Sequence, residues 1–330
     1  MEKANDEDAD YVCSLDEDTI NRIKVELNEN PSDRLASVKA FRKWILEQSS
    51  WLKSPTGTKF LLAFLRISKF SQLVARERLV NFLASFNDSV SYLNGYDPGD
   101  PKFLQILRDS RVFTPLPQRD SDDRTIILGN YDNFDPTGAS YDYPDFQRSV
   151  LAICHSLVFC DEQFQAHGVN FLMDYKSVTM KHIRFGGSEN MRNRAQHFQK
   201  ALPVSIKQFH HYNTGPIFNI LLHILKPALP EKMRIRVFMH GSSMVSVYRS
   251  IDMSLLPREY LPDDYEGKCA GTLEEITEEN IQKLILEPSR RAFIKDLWSG
   301  KYHADLSMKP DTTQKTRNDG VYGSFRKIET

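Results

Sequence analysis

Four strand-length apolar runs, with helical stretches between them, constrain the fold of this chain more than any other feature. The runs are Thr125–Leu128, Gly168–Met173, Ile206–Tyr212 and Ile235–Met239. Residues with helical periodicity separate them, over 143–164, 189–202 and 216–229. Strands that are joined by helices pair in parallel through right-handed crossovers. We therefore expect an α/β domain with a mostly parallel sheet.

Helical spacing dominates the chain before the first of these strands. Apolar side chains recur at helical spacing in three places: from Leu35 to Ile45, from Phe60 to Leu65 and from Ala75 to Phe86. We expect an acidic disordered tail over residues 1–18, a helical module over 19–109, the α/β domain over 110–273, and a C-terminal helix with a polar extension over 274–330. Within this last part, the helix is expected around Ile281–Leu297.

Charge and hydropathy exclude several classes of protein. The 43 Lys and Arg residues balance 44 Asp and Glu, whereas nucleic-acid-binding domains normally carry a basic excess. The N-terminus lacks the basic flank and apolar run of a signal peptide, and no run reaches the roughly 18 apolar residues that span a bilayer. The four cysteines form no CxxC pair, which is typical of reduced thiols. We expect a cytoplasmic protein without a nucleic-acid partner.

Motifs of catalysis and metal binding are missing from the sequence. There is no GxSxG, no HExxH, no GxxxxGK[ST] and no GxGxxG after a strand. His210 and His211 would point to opposite faces of a strand, so we interpret them as structural rather than as ligands of one metal ion. Asp174 follows a strand, where α/β enzymes place catalytic acids, but a structural hydrogen-bonding role explains it at least as well. We expect no enzyme activity, no cofactor and no metal.

The stretch from Thr214 to Leu229 carries the strongest functional signal. At 3.6 residues per turn, it presents two adjacent apolar stripes. One stripe is Phe218, Leu222, Leu225 and Leu229, and the other is Ile217, Leu221, Ile224 and Ala228. A helix buried on both sides in the core explains the two stripes. A helix that contacts a membrane explains them as well, since apolar side chains enter the interface while cations meet anionic headgroups. Basic residues suited to such contact lie nearby: Lys207, Lys226, Lys232, Arg234 and Arg236.

Four ordered motifs resemble those of the CRAL-TRIO (Sec14-like) family, in its branch of tocopherol-transfer and retinaldehyde-binding proteins. Phe60–Phe70 resembles the FLLRFLRARKF motif that opens the family's helical module. Asn213–Gly241 is similar to its gate helix, Lys-Pro break and His-Gly strand end, and Leu256–Tyr260 resembles its LPxEY motif. Gly323–Ile328 resembles the GSFRK ending of that branch. The resemblance implies a helical module, an α/β lipid cage and non-enzymatic carriage of a hydrophobic ligand.

The resemblance also implies a ligand pocket roofed by the inward stripe of the gate helix. Its implied residues are Val150, Leu151 and Cys154 on a wall, Val169, Phe171 and Met173 on the floor, and Phe218, Leu222 and Leu225 on the roof. Strand alternation places the three floor residues on one face. The outward stripe would contact the membrane through Ile217, Leu221 and Ile224, together with Met180.

A basic groove binds a phosphoinositide headgroup in the tocopherol-transfer branch, and its positions match Lys207, Lys232 and Arg236 here. Two further groove positions match Ser68 and Ser205, and Arg66 and Lys69 are near enough in the sequence to compensate in part. The resemblance thus implies a carrier of a small hydrophobic lipid, tocopherol- or retinoid-like, that docks transiently on anionic phosphoinositide-containing membranes. The alternative is a phosphoinositide-sensing adaptor that transfers no lipid. A lipid hydrolase is disfavoured by the missing nucleophile motif.

Overall fold

The computed structural model describes residues 11–87, 91–187, 189, 191, 197–225, 231 and 235–310. Its first part is helical, as predicted: α1 (Glu17–Glu26), α2 (Arg34–Glu47), α3 (Thr58–Ile67), α4 (Gln72–Ser85) and α5 (Pro101–Ser110). Helix α3 is buried from Phe60 to Arg66, since apolar residues surround almost its whole circumference. It packs against α2, α4 and the long helix that follows the first central strand.

A buried ionic cluster joins this helical module to the rest of the chain. The Arg66 guanidinium is fully buried and donates to Glu29 Oε2 at 2.8 Å and to Glu162 Oε1 at 3.1 Å. Arg66 Nη1 also donates to Gln165 Oε1 at 2.7 Å. Arg66 therefore has no free face for a membrane headgroup, and the expectation that it compensates for Ser68 and Ser205 is wrong.

The sheet of the α/β part has five strands among the described residues, in the order β2-β3-β4-β5-β6. They are β2 (Thr114–Pro115), β3 (Thr125–Gly129), β4 (Val169–Asp174), β5 (Ile206–Tyr212) and β6 (Val237–Met239). Strands β3 to β6 are parallel, and β2 is antiparallel to β3. The predicted α/β class and mostly parallel sheet are confirmed, with β6 beginning at Val237 rather than at Ile235.

Helices cover the sheet on both sides. They are α6 (Tyr143–Cys160), α7 (Glu162–His167), α8 (Met180–Gly186), α9 (Pro216–Leu225) and α10 (Met244–Tyr248). Within the predicted helix 189–202, the structure describes a π-helical turn at His197–Ala201, and residues 192–196 lie outside the described part. Helix α9 confirms the first part of the predicted helix 216–229, whose last residues also lie outside.

The C-terminal segment differs from the single helix expected around Ile281–Leu297. It forms α11 (Leu273–Asn280), a π-helical turn over Ile281–Leu286, and α12 (Pro288–Leu297). Pro288 lacks an N–H and begins a new helix. The Glu287 carboxylate caps this helix by accepting from the N–H groups of Ser289 and Arg290. A short pair of strands, β1 (Leu52–Lys53) and β7 (His303–Ala304), ties the end of the described chain to the helical module.

Two apolar clusters lie on opposite faces of the sheet. The larger contains Ile127 and Phe171 and extends into the helical module and α6. The smaller contains Ile126 and Leu172 and reaches the segment around Leu256. The alternation along β3 and β4 therefore separates a face toward the helical module from a face toward the chain after β6.

Candidate functional site

Stacked rings line the sheet face that lies toward the helical module. Phe171 stacks on Phe209 with ring centroids 4.9 Å apart and planes 13° from parallel, and His211 stacks on Phe209 in turn. Val169 and Phe171 are buried in the larger apolar cluster, and Met173 packs against it. The structure thus brings together the three residues that were expected on a pocket floor.

The residues expected on the wall belong to the same cluster. Val150, Leu151 and Cys154 are all buried on α6. Helix α6 begins at the Asp142 cap, whose side chain accepts from Asp145 N, and nearly every residue from Asp145 to Phe159 is buried. Because α6 is buried on all sides, burial alone does not distinguish a pocket-facing side chain from a core one.

Helix α9 agrees with the expectation at Phe218 and differs from it at Leu221 and Leu222. Phe218 is 4% exposed and meets Tyr175 edge-on, with ring centroids 4.9 Å apart. Leu221 is 8% exposed and packs against Val178 and Ile183. Leu222, which was expected on the roof, is 37% exposed.

The stripe of Ile217, Leu221 and Ile224 was expected to be exposed, and this expectation is wrong. All three pack with the cluster of Val178 and Ile183, so this stripe faces inward in the structure. The physical reason is α8, which lies beside α9 and offers apolar side chains on that side. Met180, at the start of α8, is 38% exposed. The Leu225 side chain lies outside the described residues.

An aromatic cavity of about 70 Å³ lies between α8, α9 and the start of α6. Its lining residues are Tyr131, Phe134, Tyr143, Phe146, Tyr175, Val178, His182, Ile183, Phe185, Gly186, Met191 and Leu221. Phe134 is the centre of the ring contacts, with Phe146 at 4.9 Å and Phe185 at 5.2 Å between centroids. Leu221 is the residue of α9 among these side chains, so α9 closes the cavity on one side.

The lining includes His182, and one of its two ring nitrogens has no hydrogen-bond partner among the described residues. Its ring stacks on Phe134, with centroids 5.4 Å apart and planes at 28°. His182 Nδ1 accepts from the Thr179 backbone N–H at 3.1 Å, while Nε2 is buried and has no hydrogen-bond partner among the described residues. Burial lowers the pKa of His182, which keeps the ring neutral at neutral pH. Sequence reasoning missed this residue, because a histidine three residues after Thr179 does not match the Glu or Gln of a capping-box sequence.

Several basic side chains lie at the edge of the sheet where the parallel strands begin, which is opposite to the edge where these strands end. Burial lowers the pKa of Lys207, Glu26 opposes this shift, and the positive charges of Arg124, Arg236 and Arg22 add to it. Arg236 donates from Nη1 to the Ile206 carbonyl, which fixes its stem beside β5. Two of the three expected headgroup residues therefore lie together, and Lys232 lies outside the described residues.

The fold adds Arg22 and Arg124 to this basic edge. Sequence reasoning missed both, because α1 and the start of β3 are distant from Lys207 along the chain. One signal in the sequence could have found Arg124, because it immediately precedes β3. Parallel strands begin at the same edge of a sheet, so the start of β3 lies at the same edge as the start of β5. Ser68 is buried, and its hydroxyl has no partner among the described residues, so it does not extend this edge as a charged contact.

Asp174 has a structural role. Its carboxylate is buried and accepts from Tyr260 Oη at 3.0 Å and from Asn213 Nδ2 at 2.8 Å. Asn130 Nδ2 donates to the same tyrosine oxygen at 2.5 Å. These contacts anchor the Leu256–Tyr260 motif at the carboxyl ends of β3 and β4. The residues that make these contacts line a polar cavity of about 260 Å³, and Asp132, Lys176 and Glu259 line it as well.

His210 and His211 point to opposite faces of β5, as expected. His210 Nδ1 lies 2.9 Å from His240 Nε2, while His211 Nδ1 lies 3.0 Å from the Tyr175 hydroxyl. Over the part of the chain that the structure describes, no group of three or more His, Cys, Asp or Glu residues is placed to hold a metal ion. In the same part, none of the helices is both long and apolar enough to cross a membrane.

Comparison with known proteins gives concordant matches. The model of the CRAL/TRIO domain matches residues 109–261. The human protein "Alpha-tocopherol transfer protein-like" is 30% identical over 286 residues, which cover 87% of this chain and 79% of that protein. Human Clavesin-2 is 25% identical over 264 residues, covering 79% of this chain and 80% of that protein. Xenopus laevis Clavesin-1 is 27% identical over 264 residues, which cover 79% of this chain and 78% of that protein.

Proposed function

The chain belongs to the CRAL/TRIO family, and on this premise we propose that it binds a small hydrophobic lipid and transfers it between membranes without changing it chemically. The observation that carries the proposal is the aromatic cavity closed by Leu221 of α9. A tocopherol-like or retinoid-like ligand suits a lining of rings and aliphatic side chains, and the human relative is named for tocopherol transfer. Small-molecule sites are typically apolar, with few polar groups that set orientation.

The size of the cavity supports a mobile α9. About 70 Å³ is far below the roughly 300–1,000 Å³ of pockets that bury drug-sized ligands. A lipid therefore enters only if the covering side chains move, and we propose that α9, which contributes Leu221 to the lining, is the element that moves. Outward movement would also uncover Ile217, Leu221 and Ile224 together, and Met180 is already exposed beside them. We propose that these four residues contact the membrane in the open form.

The basic edge would hold the protein on an anionic membrane during this opening. Lys207 and Arg236 lie there with Arg22 and Arg124, and we propose Lys232 as a further contact. Each cation near an anionic surface contributes about 1 kcal/mol. Phosphoinositide headgroups are the proposed partners, because several cations at one edge match a multiply charged headgroup better than a singly charged lipid.

Native mass spectrometry of the purified full chain tests the binding. We expect an apolar molecule to co-purify with the wild type. Val178→Phe should reduce its occupancy, because the added ring fills the aromatic cavity at an overpacking cost of about 1–3 kcal/mol. Leu222→Phe is the matched control, since Leu222 lies on the exposed side of α9 and should leave occupancy unchanged. A wild type without bound lipid that still binds phosphoinositide vesicles would favour the adaptor instead.

A further inference from the structure

We infer that His182 Nε2–H donates a hydrogen bond to an oxygen of the ligand inside the aromatic cavity. His182 would then select hydrophobic molecules that carry a neutral hydrogen-bond acceptor at one end. This inference rests on the proposed lipid binding, and it names a specificity-determining residue and a ligand class within the same cavity.

The tautomer of His182 follows from its contacts with Thr179. A backbone N–H can only donate, and that of Thr179 points at Nδ1 from 3.1 Å, so Nδ1 must carry its lone pair. The Thr179 hydroxyl oxygen lies 3.0 Å from the same nitrogen and can donate to it as well. Burial lowers the pKa of His182, so the ring holds a single proton at neutral pH. That proton is on Nε2.

The Nε2–H group of His182 is an unpaired donor on a residue that lines the cavity. Nε2 is buried and makes no hydrogen bond within the described part of the chain. Phe134 stacks on the ring and Tyr131 meets it at 89° with centroids 5.9 Å apart, so both neighbours hold the imidazole in place. Buried polar groups are nearly always paired, and an unpaired one in an apolar cavity is unfavourable. A ligand oxygen would pair it, whereas a hydrocarbon would leave it unpaired.

The charge of the lining narrows the ligand class. The described lining holds tyrosine, phenylalanine and aliphatic residues with His182, and it includes no Lys or Arg. A free carboxylate would be buried there without a countercharge, which is strongly unfavourable. A hydroxyl, aldehyde or ketone oxygen accepts from Nε2–H without that penalty. The cavity therefore suits an alcohol, a phenol or a carbonyl compound better than a free fatty acid.

Two substitutions of His182 distinguish the role of Nε2 from the role of Nδ1. His182→Gln places an amide N–H near the position of Nε2 and loses the acceptor for Thr179. His182→Asn places an amide oxygen near the position of Nδ1, keeps the contact with Thr179, and loses the donor into the cavity. A merely structural role for His182 would make Asn the milder change, whereas ligand recognition makes Gln the milder change.

The experiment measures dissociation constants of the full chain for matched lipids. The probes are α-tocopherol with its 6-deoxy analogue, and hexadecan-1-ol with heptadecane and hexadecanoate. We expect the wild type and His182→Gln to favour α-tocopherol over its 6-deoxy analogue, and hexadecan-1-ol over heptadecane, by about 2- to 12-fold, the effect of one net hydrogen bond. His182→Asn should reduce the ratio to about 1 without weakening hydrocarbon binding. Hexadecanoate should bind more weakly than hexadecan-1-ol.

The outcomes separate this inference from the proposed function. Lipid binding that shows no preference for the alcohols, or a preference that survives in His182→Asn, overturns the role of His182 and leaves lipid binding standing. Failure of the wild type to bind any of the five probes contradicts the proposed function and this inference with it. Ring-¹⁵N spectra of the unliganded chain give a second check, since a proton on Nδ1 rather than Nε2 overturns the inference whatever the lipids do.

Discussion

The orientation of α9 can be tested by truncating two neighbouring leucines. Leu221 is 8% exposed and packs against Val178 and Ile183, whereas Leu222 is 37% exposed. Buried Leu→Ala changes cost about 2–5 kcal/mol, and Leu221 belongs at the low end because a cavity already adjoins it. We expect Leu221→Ala to destabilise the closed position of α9 by about 2 kcal/mol, which is about a 30-fold change in the opening equilibrium. Leu222→Ala should change it less than about 2-fold, since Ala is also the better helix former.

Native-state hydrogen exchange is the suitable assay, because it reports local opening separately from global unfolding. Amide protons of α9 should exchange about 30-fold faster in Leu221→Ala than in the wild type, and less than about 2-fold faster in Leu222→Ala. Equal acceleration in the two variants, or a larger one in Leu222→Ala, would refute the inward position of Leu221. It would restore the original expectation that Leu222 roofs the pocket.

Arg66→Ala should lower the free energy of unfolding by about 3–5 kcal/mol in denaturant titration, because Glu29 and Glu162 both stay buried and lose this cation, and Arg34 is left to pair Glu29; Lys24→Ala is the surface control. Lys207→Ala with Arg236→Ala should weaken binding to phosphoinositide vesicles about 30-fold at low salt, whereas Lys39→Ala with Lys53→Ala, the same loss of charge elsewhere, should not. Burial lowers the pKa of His155 to about 3, below its unfolded value, so the stability it contributes is present above about pH 6.5 and is lost as the pH falls. Between pH 6.5 and pH 5 this loss is about 2 kcal/mol, and His155→Asn, which keeps an acceptor for Trp298, should flatten the slope of unfolding free energy against pH.

The sequence predicted the sheet well because its signals are local. Each central strand is a compact apolar run, and the helices between them force parallel pairing. The break at Pro288 was a local signal too, yet the apolar spacing across it was interpreted as one helix. The orientation of α9 was beyond reach, since two apolar stripes of equal strength say nothing about which one a neighbouring helix covers. Only the position of α8 decides that question in favour of Leu221.

Residues that act through distant contacts were the hardest to predict. The sequence shows Arg66 as one more cation near Lys69, and its burial depends on Glu29 and Glu162, which lie 37 and 96 positions away from it. His182 carried no motif, and Phe134 and Tyr131 contact its ring only in the folded chain. Arg22 and Arg124 reach Lys207 only through the folded sheet edge.

Lipid delivery to acceptor vesicles is the measurement that tests non-enzymatic lipid transfer. Full-length protein that carries its co-purified lipid would be mixed with phosphoinositide-containing vesicles, and the lipid in each fraction would be quantified by mass spectrometry. We expect the lipid to move to the vesicles with unchanged mass, and Lys207→Ala with Arg236→Ala to slow this movement. Lipid that stays with the protein, or that arrives with an altered mass, would contradict non-enzymatic transfer.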